Sequence, residues 1–194
     1  MKQLAIFIGS LLVISASVLA QSASQDKVEI STNPPPPAMS FPVVKELGKA
    51  KAMYNERADR LIVQTSPIQV SGDWQNGVRL QAGFVSPGKK IAKPSTITLT
   101  FHSAANDRRY ADNRAVRVKL DDNDVLSETA RYEHGNTNGR IFLISVAQDV
   151  GYETFLKILT AKKVQIQIGS AQFELKEGDR KALEDLKKLI EHQE

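Results

Sequence analysis

Between residues 78 and 175, apolar and polar side chains alternate in five separate runs, and this restricts the chain to a half-buried β architecture. Val78, Leu80, Ala82 and Phe84 alternate with Arg79, Gln81 and Gly83. Ile97, Leu99 and Phe101 alternate with Thr98, Thr100 and His102, and Val116, Val118 and Leu120 with Arg117 and Lys119. The same pattern returns in Val164, Ile166 and Ile168, and again in Ala171, Phe173 and Leu175. Successive strand side chains point to opposite faces, so each run has one apolar face and one wet face. Such strands belong to antiparallel sheets with one solvated side. Shorter strands are expected at 61–65, 68–71, 125–133 and 140–147. The last is apolar on both faces around Phe142, Leu143 and Ile144, which predicts a central position.

Turn chemistry separates the runs at Asn76-Gly77, Pro87-Gly88, Asp122-Asn123, Asn138-Gly139 and Gly169-Ser170. Positive φ costs Gly, Asn and Asp little. Helical spacing appears twice. One helix is predicted over 150–161, with Phe155 and Leu159 a turn apart. The other covers 180–191, with Leu183, Leu186 and Ile190 on one stripe and Asp179 as N-cap. Residues 41–58 are ambiguous: Val44, Leu47 and Ala50 form a weak helical stripe, and Gly48 argues against it. The predicted fold is mainly β, a β-sandwich or curved antiparallel sheet, with one or two helices that include an amphipathic C-terminal one.

Ahead of this domain the composition changes twice. Residues 1–20 have a positive start at Lys2, an apolar core, and Val18-Leu19-Ala20 before Gln21, the layout of a secretory signal peptide. The apolar stretch is shorter than the roughly 20 residues of a bilayer crossing. No stable membrane insertion is expected once it is cleaved. Residues 21–40 are rich in Gln, Ser, Thr and Pro, and Pro34 to Pro37 predict an extended polyproline II spacer. A single β-rich domain is expected over 41–194, a length that buries a core without staples. The chain has no cysteine. That excludes disulfides, thiol chemistry, cysteine-ligated metals and an N-terminal acylation site. The predicted location is the periplasm or the medium, and no cofactor is implied.

Residues 21–194 carry 25 Lys and Arg against 22 acids, a net charge of +3. The charges are interspersed, unlike the one-sided basic surface of a nucleic-acid binder, so no nucleic-acid partner is expected. A weak attraction to anionic envelope surfaces is what this balance supports.

Asp59-Arg60 leads into an early strand, and Pro94-Ser95-Thr96-Ile97-Thr98-Leu99 opens another. Val164-Gln165-Ile166-Gln167-Ile168-Gly169 then runs into Phe173-Glu174-Leu175, with Ala182-Leu183 beyond. This combination resembles uncharacterised exported bacterial proteins over about residues 59–190. The resemblance implies an envelope setting and carries no activity or site residue.

Several residue groups bear chemistry. Arg108, Arg109, Arg114, Arg117 and Lys119 surround Tyr110. Arginines beside an aromatic ring grip phosphate, carboxylate or sugar by bidentate and stacking contacts. Asp107 and Asp112 lie within the cluster and would offset part of its charge. Trp74, in a Gly- and Asn-containing loop, either displays its ring or closes one end of a sandwich. His102 and His134, with Glu133 or Asp112, would make a metal or acid–base site if the fold brought them together. Asp122 and Asp124 alternate as calcium ligands do, but Leu126 stands at the next ligand position and an acidic hairpin turn is the expectation. Ser86-Pro87-Gly88-Lys89 spells Ser-x-x-Lys, but a Pro-Gly turn replaces the helix that this chemistry needs.

The function expected is an exported non-catalytic binding or assembly module of the bacterial envelope, recognising a protein or an anionic polymer. The alternative is a small envelope hydrolase or metal-dependent enzyme using His102, His134 and nearby carboxylates. That alternative requires the two histidines to converge.

Overall fold

The alternating runs form two open antiparallel sheets that pack through their apolar faces. A computed structural model describes residues 41–72, 77–137 and 141–192. The elements are β1 (Val43–Leu47), β2 (Ala50–Asn55), β3 (Arg60–Thr65), β4 (Ile68–Ser71), β5 (Val78–Pro87), β6 (Thr96–Ala105), β7 (Ala115–Leu120), β8 (Asn123–Thr129), β9 (Arg131–Thr137), β10 (Ile141–Gly151), α1 (Tyr152–Thr160), β11 (Val164–Ile168), β12 (Ala171–Glu174) and α2 (Glu177–Glu191). The larger sheet runs β1-β2-β3-β5-β6-β10-β9, with β4 also pairing β5, and the smaller runs β12-β11-β7-β8. Residues 1–40, where the sequence leads one to expect a signal peptide and a spacer, lie outside the described residues. Among the described residues no helix is long and apolar enough to cross a membrane.

Leu80, Ile97, Leu99, Phe101, Ile144 and Val146 of the large sheet and Val116, Val118, Ile166 and Ile168 of the small one are buried in one core. Phe101 meets Phe173 across the gap, ring centroids 5.9 Å apart. Amphipathic α2 packs against β1 to β5 and buries Leu183, Leu186, Leu189 and Ile190. Each such side chain contributes about 1.5–3 kcal/mol. Helix α1 lies against β6, β10 and α2.

The structure corrects the sequence reading in four places. Within residues 41–58, β1 and β2 form a β-hairpin, followed by a 3-10 turn at Glu56–Ala58. Leu47 and Ala50, spaced like a helical stripe, are partners across a two-residue turn. Gly48 takes φ +58° there, the left-handed region that favours glycine. The expected strand over 125–133 is two strands. β8 belongs to the small sheet and β9 to the large one, and the chain changes sheets at buried Ala130, whose N–H donates to the Arg114 carbonyl at 3.0 Å. Helix α2 starts earlier than expected, so Asp179 is its third residue. Its carboxylate reaches back to the Lys176 N–H at 2.8 Å. The acidic hairpin turns at Asp121-Asp122 (φ +49° and +69°), one residue before the Asp122-Asn123 expectation. β10 pairs on both sides, with β6 and β9, and so lies inside the sheet but next to its edge.

Candidate arginine–aromatic site

The loop between β6 and β7 carries Arg108, Arg109, Tyr110 and Arg114, and the fold sends them to different places. Tyr110, at φ +69°, turns into the protein, half-buried beside Gly169. Burial pushes its phenol pKa up, against the pull of the Arg109 charge. Arg109 is paired within the loop: its Nε lies 3.5 Å from Asp107 Oδ1, which also accepts the Arg109 N–H. Arg117 and Lys119 belong to β7 and lie in a shallow cleft of about 80 Å³ with Gln165, Gln167 and Gln172. Lys119 is 3.8 Å from Asp124. Arg117 and Lys119 therefore lie on the face of the small sheet opposite buried Val116 and Val118.

Arg108 and Arg114 stack on aromatic rings. The Arg108 guanidinium carbon lies 5.6 Å from the Phe142 centroid, and that of Arg114 lies 5.4 Å from Tyr132. Arg114 Nε also donates to the Ala111 carbonyl at 2.8 Å, which fixes the plane of the fork. Exposed His134 stands between the rings, 5.6 Å from Tyr132 and 6.1 Å from Phe142. Strand periodicity explains the row. Tyr132 and His134 pair with Val146 and Ile144, so both share the core-side face of β9 and β10, near the sheet edge. Among the described residues neither Arg108 nor Arg114 has a carboxylate within salt-bridge distance. Stacking uses the face of a guanidinium and leaves N–H groups at its rim for an anion.

The opposite, solvated face of the large sheet is internally paired. Arg131 grips Asp149 with two bonds of 2.7 and 3.1 Å, and Thr98 donates to the same carboxylate at 2.6 Å. Next to this group runs a second chain of hydrogen bonds. Gln81 Nε2 donates to the Thr65 carbonyl at 3.1 Å, so its Oε1 faces His102 Nε2, also at 3.1 Å. His102 Nε2 therefore carries the proton, and Nδ1 accepts from the Ser145 hydroxyl at 3.0 Å. Burial first, and the Arg79 charge second, hold the His102 pKa below its ordinary 6.5.

No protein-family model, curated protein or solved structure matches the chain.

His102 and His134 lie on opposite faces of the large sheet and do not form one site. Glu133 is on the His102 face, in register with Ser145. Asp112 lies in the arginine loop. Among the described residues no three metal-ligating side chains cluster. Asp122 is 3.3 Å from Lys163 Nζ, so Asp122 and Asp124 each face a lysine. Trp74 lies outside the described residues. Ser86 is buried, its hydroxyl donating to the Lys90 carbonyl and accepting from Ala92 N–H, both at 2.8 Å. It acts as a loop clasp.

Sequence reasoning missed Tyr132 and Phe142 as the platforms for Arg108 and Arg114. Phe142 was read only as part of an apolar strand, and no local spacing links a loop to rings on β9 and β10. The Gln81–His102–Ser145 chain was missed too, because its members come from three strands.

Proposed function

We propose that the protein is an exported, non-catalytic binding module of the bacterial envelope, which recognises an anionic polymer through Arg108 and Arg114. The observation that carries this reading is the pair of stacked guanidiniums without a carboxylate partner among the described residues. A polymer bearing repeated carboxylate or phosphate groups would engage both forks at once, each by charge-assisted bidentate bonds. His134 between them adds a polar contact. Arg109 balances Asp107 and contributes less. The signal layout of residues 1–20 and the likeness to uncharacterised exported proteins support a periplasmic or surface location.

The experiment is retention of residues 21–194 on an immobilised anionic polysaccharide at low and high salt. Retention at low salt should vanish in Arg108→Ala/Arg114→Ala and persist in Arg117→Ala/Lys119→Ala. Equal loss in both variants would mean diffuse charge and overturn the reading.

One observation favours the hydrolase alternative, namely the Ser145–His102–Gln81 chain, which has the order of nucleophile, base and orienting group. Among the described residues the backbone N–H groups of β6 and β10 offer it no oxyanion site, because both strands are paired on both sides and these groups serve the sheet. A fluorophosphonate probe should leave Ser145 unlabelled. Labelling that disappears in Ser145→Ala would restore the enzyme reading.

A further inference from the structure

The Ser86-Pro87-Gly88-Lys89 stretch, which has no helix and no free serine, builds something else. A cavity of about 370 Å³ opens where this loop meets β1, lined by Val44, Lys45, Ala52, Leu61, Lys89, Lys90 and Ile91. That volume falls in the ~300–1,000 Å³ range of small-molecule sites. Its lining holds three lysines, four apolar side chains and no carboxylate.

Two devices shape it. The first is a β-bulge in β1: Val43 pairs with Met53 and Lys45 with Ala52, leaving Val44 as the extra residue. Neighbouring residues of a regular strand face opposite sides, whereas this bulge lets both Val44 and Lys45 line the cavity. The second is the clasp on the loop. Ser86 ties down the Lys90 carbonyl and the Ala92 N–H, and Gly88 N–H donates to the Asp59 carbonyl at 2.8 Å. Gly88 takes φ +65° to make the turn. Lys89 then lies over the Tyr54 ring, its Nζ 5.2 Å from the centroid, while the Tyr54 hydroxyl is held by Asp59 at 2.7 Å.

The charges are not equally available. Lys45 donates to the His192 carbonyl at the C-terminal end of α2, where the helix dipole already favours a cation. Lys89 and Lys90 have no carboxylate within salt-bridge distance among the described residues. The cavity therefore pairs a rim of two ammonium groups without a salt-bridge partner with exposed Val44, over a floor of buried Leu61 and Ile91. We infer that it binds the anionic head and first methylenes of a single-chain amphiphile, an acyl carboxylate, with the head between Lys89 and Lys90 and the chain along Val44 and Ile91. This site is independent of the Arg108–Arg114 surface.

The test is calorimetric titration of residues 21–194 with decanoate, with acetate as head alone and an uncharged decyl glycoside as tail alone. Decanoate should bind at one saturable site, at least about tenfold tighter than either control. Lys89→Ala/Lys90→Ala, at two exposed positions, should weaken it by about tenfold or more. Val44→Ser should weaken decanoate while leaving acetate unchanged. Arg108→Ala/Arg114→Ala should bind decanoate like the unmodified protein, so failure here and failure of the polymer reading are separable. Decanoate binding no tighter than acetate, or unchanged in the lysine variant, would overturn the inference.

Discussion

Replacing Gly48 by alanine should break the contact between the first hairpin and α2, and the cost can be built from the structure. Gly48 sits at φ +58°, and a Cβ there would lie 2.2 Å from Asp185 Oδ2. The left-handed conformation itself costs a residue with a Cβ about 1–2 kcal/mol. Asp185 must also move, releasing the 2.8 Å bond it accepts from the Lys49 N–H. A hydrogen bond to a charged group contributes about 1.5–3 kcal/mol, and the exposure of this one favours the low end. Gly48→Ala should therefore destabilise by about 3 kcal/mol. Asp185→Ala alone should cost about 1.5 kcal/mol, by loss of that bond. In the Asp185→Ala background the clash is gone, and Gly48→Ala should cost only the backbone share, about 1–2 kcal/mol. Urea unfolding of the four proteins, fitted for midpoint and slope, measures this cycle. An equal cost of Gly48→Ala in both backgrounds would refute the contact. A cost below about 0.5 kcal/mol would refute the turn geometry as well.

Other expectations follow from the core and the wet sheet face. Phe173→Ala, which empties the space facing Phe101, should destabilise by about 3–5 kcal/mol in the same assay. Ser86→Ala should cost about 1–3 kcal/mol by orphaning the Ala92 N–H and Lys90 carbonyl, and should weaken decanoate binding along with it. Asp149 is held below the usual carboxyl range by Arg131 foremost, helped by Thr98 and opposed by some burial. Its contribution is present above the unfolded value near 3.8 and lost as pH falls through the depressed folded value. Screening keeps it below about 1 kcal/mol, and Asp149→Asn should abolish that acid-side slope in urea midpoints. His102 should titrate below 6.5 by NMR with the proton on Nε2. Its depressed pKa makes stability fall as pH drops below 6.5 towards the folded value, and His102→Gln should remove that slope.

The parts of the fold legible in the sequence are those where buried positions alternate regularly with half-buried or exposed ones. β5, β6, β7, β11 and β12 satisfy that condition, and period two locates them directly. The first hairpin does not. β1 lies at a sheet edge with Val43 and Val44 exposed, so its alternation is lost and the spacing of Leu47 and Ala50 imitates a helix. Ala130 hides the passage from small sheet to large because a buried alanine continues either pattern. The candidate sites show the same division. The arginine loop could be marked from composition, but which of its guanidiniums stay available depends on Tyr132 and Phe142 across the fold. The lysine cavity depends on a bulge, which periodicity does not reveal.

In the proposed function, Arg108 and Arg114, stacked on Phe142 and Tyr132, form the recognising edge. The most direct measurement is an NMR titration of the arginine Nε–H signals with a short anionic oligosaccharide. Arg108 and Arg114 should show saturable shifts that disappear at high salt, with Arg117 and Arg131 unmoved. Shifts spread evenly over all four arginines, or none at the stacked pair, would contradict it.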